Sequence, residues 1–320
     1  MEDGVHASLL APALENEVRS ALFSMQGNKS PGPDGIQALF YQRNWSTVAS
    51  TFVNFTNDAI SNSYFPPKLA EAQVVLIPKD ERPETIQKFR PITLLNVTYK
   101  VLSKVIVNRI RPLLQNLVEP FQSSFLPGRS TTDNIILTQE AVHSMGKLQG
   151  RRGAMVLKID LHKAFDSVSW TFLREVLIHF NFPMPLINLI MFSLESNRLS
   201  ILWNGDSLPA FSPGRGLCQG DPLSPYLFIL VMEKLSHMIQ RAVGNGSWKP
   251  FRLSQGGLLL SHLFFADDLM LFAEASVGQV NIIMNILCDF ANQSGLQLSV
   301  GKSKLFISKN VQSSFSRSIM

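Results

Sequence analysis

The sequence predicts an α+β fold, a sheet covered by helices on one side. Three observations carry this. Residues 154–160 (AMVLKID) alternate as a strand, with Met155, Leu157 and Ile159 on one face and Val156, Lys158 and Asp160 on the other. Residues 258–273 (LLLSHLFFADDLMLFA) read as two apolar strands around a tight acidic turn. Helical periodicities recur between such strands at irregular intervals rather than in a regular alternation.

Taken in order, residues 14–26 (LENEVRSALFSMQ) read as an amphipathic helix with Leu14, Val18, Leu22 and Met25 on one stripe. NKSPGPDG at 28–35 holds two prolines and two glycines, which force a turn; its simplest reading is a linker. Residues 73–78 (QVVLIP) read as a short strand, and 79–90 (KDERPETIQKFR), with seven charges, as an exposed loop. A helix runs from about Val97 to Leu117, and Lys100, Lys104, Arg109 and Arg111 give it a basic side. After the strand at 154–160, Val168, Phe172, Val176 and Phe180 recur at helical spacing, with Asp166 or Ser167 placed to cap the helix. The loop GRGLCQGDPLSP at 214–225 feeds a helix with Ser224 as N-cap, Pro225 at the first position and Leu227, Val231, Leu235, Met238 and Ala242 as its stripe. A helix from about Val277 to Asn292 ends at Ser294-Gly295, and a last strand covers Gln297 to Ile307.

Composition narrows the class. The 320 residues are 45% apolar, enough for about two domains and too apolar for a disordered chain. The net charge of +5 and pI near 9.2 fit a polyanionic partner. Two cysteines, Cys218 and Cys288, exclude a disulfide scaffold and a four-cysteine zinc site. The longest apolar run, Tyr226 to Met232, is far short of a membrane span, and the acidic start MEDGVHASLL lacks the form of a secretory signal. The expectation is an intracellular, non-secreted chain with no membrane partner. No basic run marks a nuclear signal, so nucleus and cytoplasm stay equally open, as does the oligomeric state.

Asp267 and Asp268 lie between Phe264-Phe265 and Leu269-Met270-Leu271-Phe272. Two adjacent anions about 4 Å apart cost roughly 4 kcal/mol at an effective dielectric of about 20. Either the turn points both into water, or a hard divalent cation such as Mg2+ neutralises them. Asp160, at the C-terminal end of the best strand, is a third candidate ligand that only the fold could bring to them. If they meet, two ions could clamp an in-line phosphoryl displacement. Rival motifs fail on spacing. GLQLSVGKS at 295–303 encloses five residues between glycines where a phosphate loop needs four, and GRGLCQG has one residue too many for a dinucleotide fingerprint. The sequence has no HExxH and no GxSxG, and the six histidines are scattered.

Seven ordered segments resemble reverse transcriptases, most closely those of non-LTR (LINE-type) retrotransposons of the plant kind. They are NKSPGPDG at 28–35, LIPK…FRPITLLN at 76–96, FQSSFLPGRSTTDNI at 121–135, KIDLHKAFDSVSW at 158–170, GLCQGDPLSPYLF at 216–228, FADD at 265–268 and SGLQLSVGKSK at 294–304. The resemblance implies a right-hand polymerase fold: an N-terminal helical extension at 1–24, fingers at 25–150 and palm at 151–320, with the reverse transcriptase domain at about 70–320. It implies an RNA-directed DNA polymerase that takes an RNA template, a DNA primer and dNTPs. Asp160, Asp267 and Asp268, with the backbone carbonyl of Leu161, would bind two Mg2+ ions, with Mn2+ as a substitute. Phe165 would be the steric gate against a ribose 2′-hydroxyl, the alternative being a core Phe at a helix start. Gln219 and Gly220 would contact the incoming nucleotide and template base, and Arg90 and Lys79 the triphosphate. Lys302 would be the general acid for pyrophosphate, with Lys304 its competitor. Arg129 and the helix near Lys104 would track template phosphates.

Family proteins usually carry an endonuclease before this region and a primer-grip hairpin, thumb and further segments after it. Only about 25 residues precede NKSPGPDG, and the chain stops about 12 residues after the last strand, so the expectation is a truncated chain with its thumb missing. The alternative function is accordingly a catalytically silent retrotransposon relic that at most binds nucleic acid. A weaker third option is an RNA-dependent RNA polymerase, against which Phe165 argues.

Overall fold

The computed structural model describes residues 3–253 and 256–311. Residues 312–320 of the expected palm therefore lie outside the described residues. The chain is a mixed α/β structure. Its first part contains α1 (Asp3–Leu10), α2 (Glu15–Phe23), α3 (Ala38–Arg43), α4 (Trp45–Asn62), β1 (Glu71–Pro78), β2 (Phe89–Leu95), α5 (Val97–Leu117) and α6 (Thr131–Gly146). Then follow β3 (Ala154–His162), α7 (Ala164–Ser167), α8 (Trp170–His179), α9 (Met184–Glu195), β4 (Arg198–Trp203), β5 (Asp206–Ser207) and α10 (Ser224–Gly244). The last part holds β6 (Phe251–Arg252), β7 (Leu259–Leu260), β8 (His262–Phe265), β9 (Asp268–Glu274), α11 (Val277–Ser294), β10 (Gln297–Leu298) and β11 (Lys304–Ile307). Two compact units divide the chain. The first joins the residues up to Leu113 to Leu173–Leu227, and the second joins Leu114–Phe172 to the residues from Phe228 onward.

In the first unit the sheet runs β2-β1-β4-β5. β1 pairs antiparallel with β2 and parallel with β4. The segment FRPITLL, expected to begin inside a charged loop, is a strand from Phe89. Pro91 is tolerated because β2 is an edge strand, where the missing N–H leaves no ladder bond open. The loop itself is shorter, closed by a 3-10 turn at Ile86–Lys88 and by Lys79 N–H donating to Lys88 O at 2.8 Å. The helical core gathers Val18, Ala21 and Leu22 of α2, Phe52 of α4 and Val97, Val101 and Val105 of α5. Leu14 departs from the expected stripe: it is the residue before α2 and is 67% exposed.

Two sequence readings in this unit are corrected by packing. NKSPGPDG is no linker: a Cβ on Gly32 would lie 2.4 Å from Asn96 N, and Asp34 N–H donates to Asn96 Oδ1 at 3.2 Å. Arg109 does not belong to a solvated basic face. Its guanidinium donates to both Glu17 oxygens, at 2.7 and 2.9 Å, and to the carbonyls of Leu9 and Ala11.

In the second unit β3 lies between β9 on one side and β10 and β11 on the other, with β8 beyond β9. Met155, Val156 and Leu157 are all buried, so both faces of β3 are covered there, not one. Val156 and Ala154 pack with Ala141 and Met145 of α6 and with Phe272 of β9. The expected single last strand is two strands, because Ser299 to Ser303 turn: Lys302 N–H and Ser303 N–H both donate to Ser299 O. The expected helix after β3 is likewise two. α7 stops at Ser167, and Ser169, not Asp166 or Ser167, caps α8, its Oγ accepting Phe172 N–H at 3.4 Å. The break is where α11 ends: Ser169 N–H donates to Ser294 O, and Gly295, at φ +77°, has no room for a Cβ beside Ser167 O. α10 begins at Ser224 itself. Asp221 Oδ1 accepts Leu223 N–H at 3.0 Å in the turn just before the helix, and Leu223 O accepts the first helical bond, from Leu227 N–H.

Candidate active site

The second unit carries the carboxylates. β3 and β9 are antiparallel with Asp160 directly opposite Asp268, so both side chains stand on one face of the sheet, with Cβ atoms about 5 Å apart. The same alternation puts Lys158 on that face. Burial holds for Ile159 and Leu161 on the opposite face, while the Asp160 side chain is 31% and the Asp268 side chain 53% exposed. Repulsion at that separation is about 3 kcal/mol at an effective dielectric of about 20. Two ammonium groups offset it: Lys158 Nζ is 3.4 Å from Asp268 Oδ1, and Lys302 Nζ is 3.9 Å from Asp160 Oδ1. Lys302 reaches Asp160 because the Ser299–Ser303 turn grips it. Ser299 N–H donates to Asp160 O at 2.8 Å, and Asp160 N–H donates to Ser303 Oγ at 3.4 Å. Lys304 lies instead opposite Lys158, on β11.

Asp267 is exposed in the two-residue turn Ala266-Asp267 that joins β8 to β9. Ala266 takes φ +52°, a left-handed conformation that costs a non-glycine residue energy and needs outside support. Gln122 supplies it. Its buried Oε1 accepts Ala266 N–H at 3.3 Å and Ser124 N–H at 3.0 Å. Beside it, Phe264 N–H donates to Phe121 O and Ser123 N–H to Phe264 O. The segment FQSSF thus lies along the acidic hairpin as an extra strand-like partner. The sequence motif contained Gln122, but its partner is 144 residues away and no local pattern reveals it.

Arg129, expected on template phosphates, is engaged elsewhere. Its guanidinium donates to the carbonyls of Gln115, Val118, Glu119 and Gln122, which end α5 and the turn after it. The loss of solvent depresses its pKa, partly offset by Glu233 and Glu119. Phe165, on α7, is half-buried and stacks on the fully buried Phe228, with centroids 4.5 Å apart and planes at 17°. Leu161 follows Asp160 one residue past the end of the β3–β9 ladder.

The remaining candidates belong to the first unit. Arg90 is exposed on β2 opposite Ile77, and Lys79 is exposed just after β1, its Nζ donating to Gln87 O at 3.2 Å. Gln219 and Gly220 press edge-on against the same strand. Thr93 N–H donates to Gln219 O at 2.7 Å, and a Cβ on Gly220 would lie 2.3 Å from Thr93 O. At φ +135°, only glycine fits there. The structure therefore gathers Asp160, Asp268, Lys158 and Lys302 on one sheet face, and Arg90, Gln219 and Gly220 along β2.

Among the described residues, no three or more His, Cys, Asp or Glu side chains converge as a metal site. The Asp160–Asp268 pair nevertheless fits a hard divalent cation, which takes one or two carboxylates and completes its shell with water and substrate phosphate. Among the described residues, no helix is long and apolar enough to cross a membrane.

One unit thus holds a carboxylate pair on adjacent antiparallel strands, and the other a glycine-bearing loop clamped to the β1–β2 hairpin. The chain belongs to the reverse transcriptase (RNA-dependent DNA polymerase) family, whose model matches residues 77–315. It is 29% identical, over 90% of its length, to a retrovirus-related Pol polyprotein from a type-2 retrotransposable element of Drosophila melanogaster, and covers 26% of that protein. It is 30% identical over 83% of its length to an uncharacterized 149 kDa protein of transposon TX1 from Xenopus laevis, covering 20% of it. A 70-residue stretch is 47% identical to an uncharacterized mitochondrial protein of Arabidopsis thaliana, covering 22% of this chain and 57% of that one. The chain thus spans about a quarter or less of the first two relatives.

Proposed function

We propose that this chain is the RNA-directed DNA polymerase domain of a plant non-LTR (LINE-type) retrotransposon, adding dNTPs to a primer 3′-hydroxyl on an RNA template. The observation that carries the reading is the register that sets Asp160 opposite Asp268 within a reverse transcriptase domain. On this reading the sheet of β3, β8, β9, β10 and β11 is the palm within residues 151–320, residues 25–150 are the fingers, and 1–24 the N-terminal extension. Asp160 and Asp268 would hold the divalent cation, and Asp267 and the Leu161 carbonyl would be the further ligands if two Mg2+ ions, or Mn2+ in their place, bind. Such ions would supply the positive charge that stabilises the negative charge developing in phosphoryl transfer.

The chain's own residues do the rest by positioning. Arg90 receives the triphosphate as a planar fork of donors, with Lys79 beside the same strand end. Gln219 and Gly220 give the nucleotide a backbone edge that no Cβ obstructs. Phe165, held by its stack on Phe228, excludes a ribose 2′-hydroxyl. Lys302 carries the proton for the leaving pyrophosphate oxygen; its ion pair with Asp160, which Lys304 lacks, supports this choice.

The test is primer extension by the 320-residue chain on poly(rA)/oligo(dT) with dTTP and Mg2+ or Mn2+. Extension is expected, with at least a hundredfold loss in D160N and D268N and a loss in D267A. Undiminished extension by D160N or D268N would overturn the assignment of the carboxylates. No extension by the unsubstituted chain at any concentration of either ion would favour a silent relic.

A further inference from the structure

Asp221 is buried in the loop that carries Gln219 and Gly220, and no role in the chemistry above requires its charge. Its Oδ2 accepts Tyr99 Oη–H at 2.8 Å. Its Oδ1 accepts Leu223 N–H at 3.0 Å and the Ser103 hydroxyl. A carboxylate that merely closed the turn before α10 would need one oxygen and could leave the other in water. Here both are enclosed. Tyr99 and Ser103 stand one turn apart on α5, so a single face of that helix presents two hydroxyls to one carboxylate. The half-buried Lys100, next to Tyr99 on α5, acts electrostatically to lower the Asp221 pKa, against the larger raising effect of burial. A buried polar cluster of this kind often adds little net stability over apolar packing, while its bonds fix one geometry.

What it defines is the path of three consecutive residues. Gln219 is bonded through its carbonyl to Thr93, Gly220 rests on the Thr93 carbonyl, and Asp221 is anchored to α5, which begins two residues after β2 ends. Arg90 lies on that same β2, three residues before Thr93. We infer that Asp221 is a positioning residue: its carboxylate, gripped by Tyr99 and Ser103, holds the Gln219–Gly220 segment in register on β2, so that this segment and Arg90 form one preorganised edge for the incoming nucleotide. The inference rests on the nucleotide-binding reading of Gln219, Gly220 and Arg90 given above.

Cys218 makes the segment testable without polymerase activity. It immediately precedes Gln219 and is half-buried, whereas Cys288, on α11, is exposed and serves as an internal control. Alkylation of each thiol by iodoacetamide, read by mass spectrometry, is compared in the unsubstituted chain, D221N and Y99F, together with dNTP KM and kcat in primer extension. Both substitutions are expected to speed Cys218 alkylation about tenfold, a change of about 1.4 kcal/mol in segment opening, with Cys288 unchanged. The dNTP KM is expected to rise about tenfold while kcat stays within about twofold. D221N retains the shape and one acceptor of Asp221, so it should be milder than D221A in both readouts. If D221N does not fold, Y99F, which deletes one hydroxyl, decides alone. Unchanged Cys218 reactivity and KM would overturn the inference. So would equal acceleration at Cys218 and Cys288 with a matching loss of thermal stability, the mark of a purely structural group. Faster Cys218 alkylation in a chain that never extends a primer would uphold the clamp and sink the polymerase reading instead.

Discussion

Gln122 and Phe165 show what single residues contribute that sequence could only partly indicate. Gln122 is buried, and its Oε1 satisfies two backbone N–H groups, one of them on the left-handed Ala266 beside Asp267. Truncation to Ala leaves both donors without a partner, at about 1–3 kcal/mol each. Q122A is expected to lower the denaturant midpoint by the equivalent of about 2–4 kcal/mol; a loss below about 0.5 kcal/mol would show that the hairpin needs no such support. Phe165 was open in the sequence between a gate and a core ring. Its stack on Phe228 leaves the ring half-exposed, a geometry compatible with both. F165A separates them: as a gate it raises the rNTP-to-dNTP ratio of kcat/KM by tenfold or more, and as a core ring it leaves that ratio unchanged. The acidic residues were legible because two adjacent anions in an apolar hairpin are conspicuous. Gln122, Asp221 and Arg129 were not, since a polar side chain's partner more than a hundred residues away leaves no local periodicity, and even Arg129's near neighbours at Gln115 to Gln122 are backbone carbonyls that carry no sequence signature.

Elements were read best where periodicity was uninterrupted. α5 covers the expected Val97–Leu117, and β3 extends the expected strand by only two residues. Errors fall where tertiary contacts cut an element. The last strand breaks because the Ser299–Ser303 turn wraps Asp160, and the helix after β3 breaks where the end of α11 meets Ser167 and Ser169. The loop GRGLCQGDPLSP looked uniformly glycine-rich, yet its glycines differ in consequence. A methyl group on Gly214 would meet nothing within 4 Å, whereas Gly220 abuts the Thr93 carbonyl at positive φ. G220A is expected to cost about 2–4 kcal/mol from strain and overlap, and to weaken dNTP binding. G214A should stay within about 0.5 kcal/mol of the unsubstituted chain. Urea midpoints of the pair check this, and equal midpoints would mean that the segment does not bear on β2.

At the scale of the molecule, the division into two units was not legible, because its boundaries fall inside α5, α8 and α10 rather than in linkers. Stability of the whole chain should nevertheless carry a signature of two buried groups in the second unit. Burial raises the Glu233 pKa from 4.5 to about 7, against the lowering effects of Glu119 N–H, Arg129 and Ser236. Burial also lowers the His262 pKa from 6.5 to about 3, its ring held between Phe121 and Phe264 and bonded to the hydroxyls of Ser236 and Ser261. Between pH 4.5 and about 7, folding takes up a proton at Glu233, so its contribution is complete below pH 4.5 and is lost as pH rises towards 7. Between pH 6.5 and about 3, unfolding takes up a proton at His262, so its contribution is complete above pH 6.5 and is lost as pH falls. The two slopes oppose each other from pH 4.5 to 6.5, each worth up to about 3 kcal/mol over that span. E233Q removes one of them. Its stability should climb steadily from pH 4.5 to 6.5 relative to the unsubstituted chain, whose own profile stays flatter. H262Q should show the opposite trend, falling over the same interval. Denaturant midpoints at half-unit steps of pH for the three proteins measure both slopes, and parallel profiles would mean that neither group changes its proton occupancy on folding.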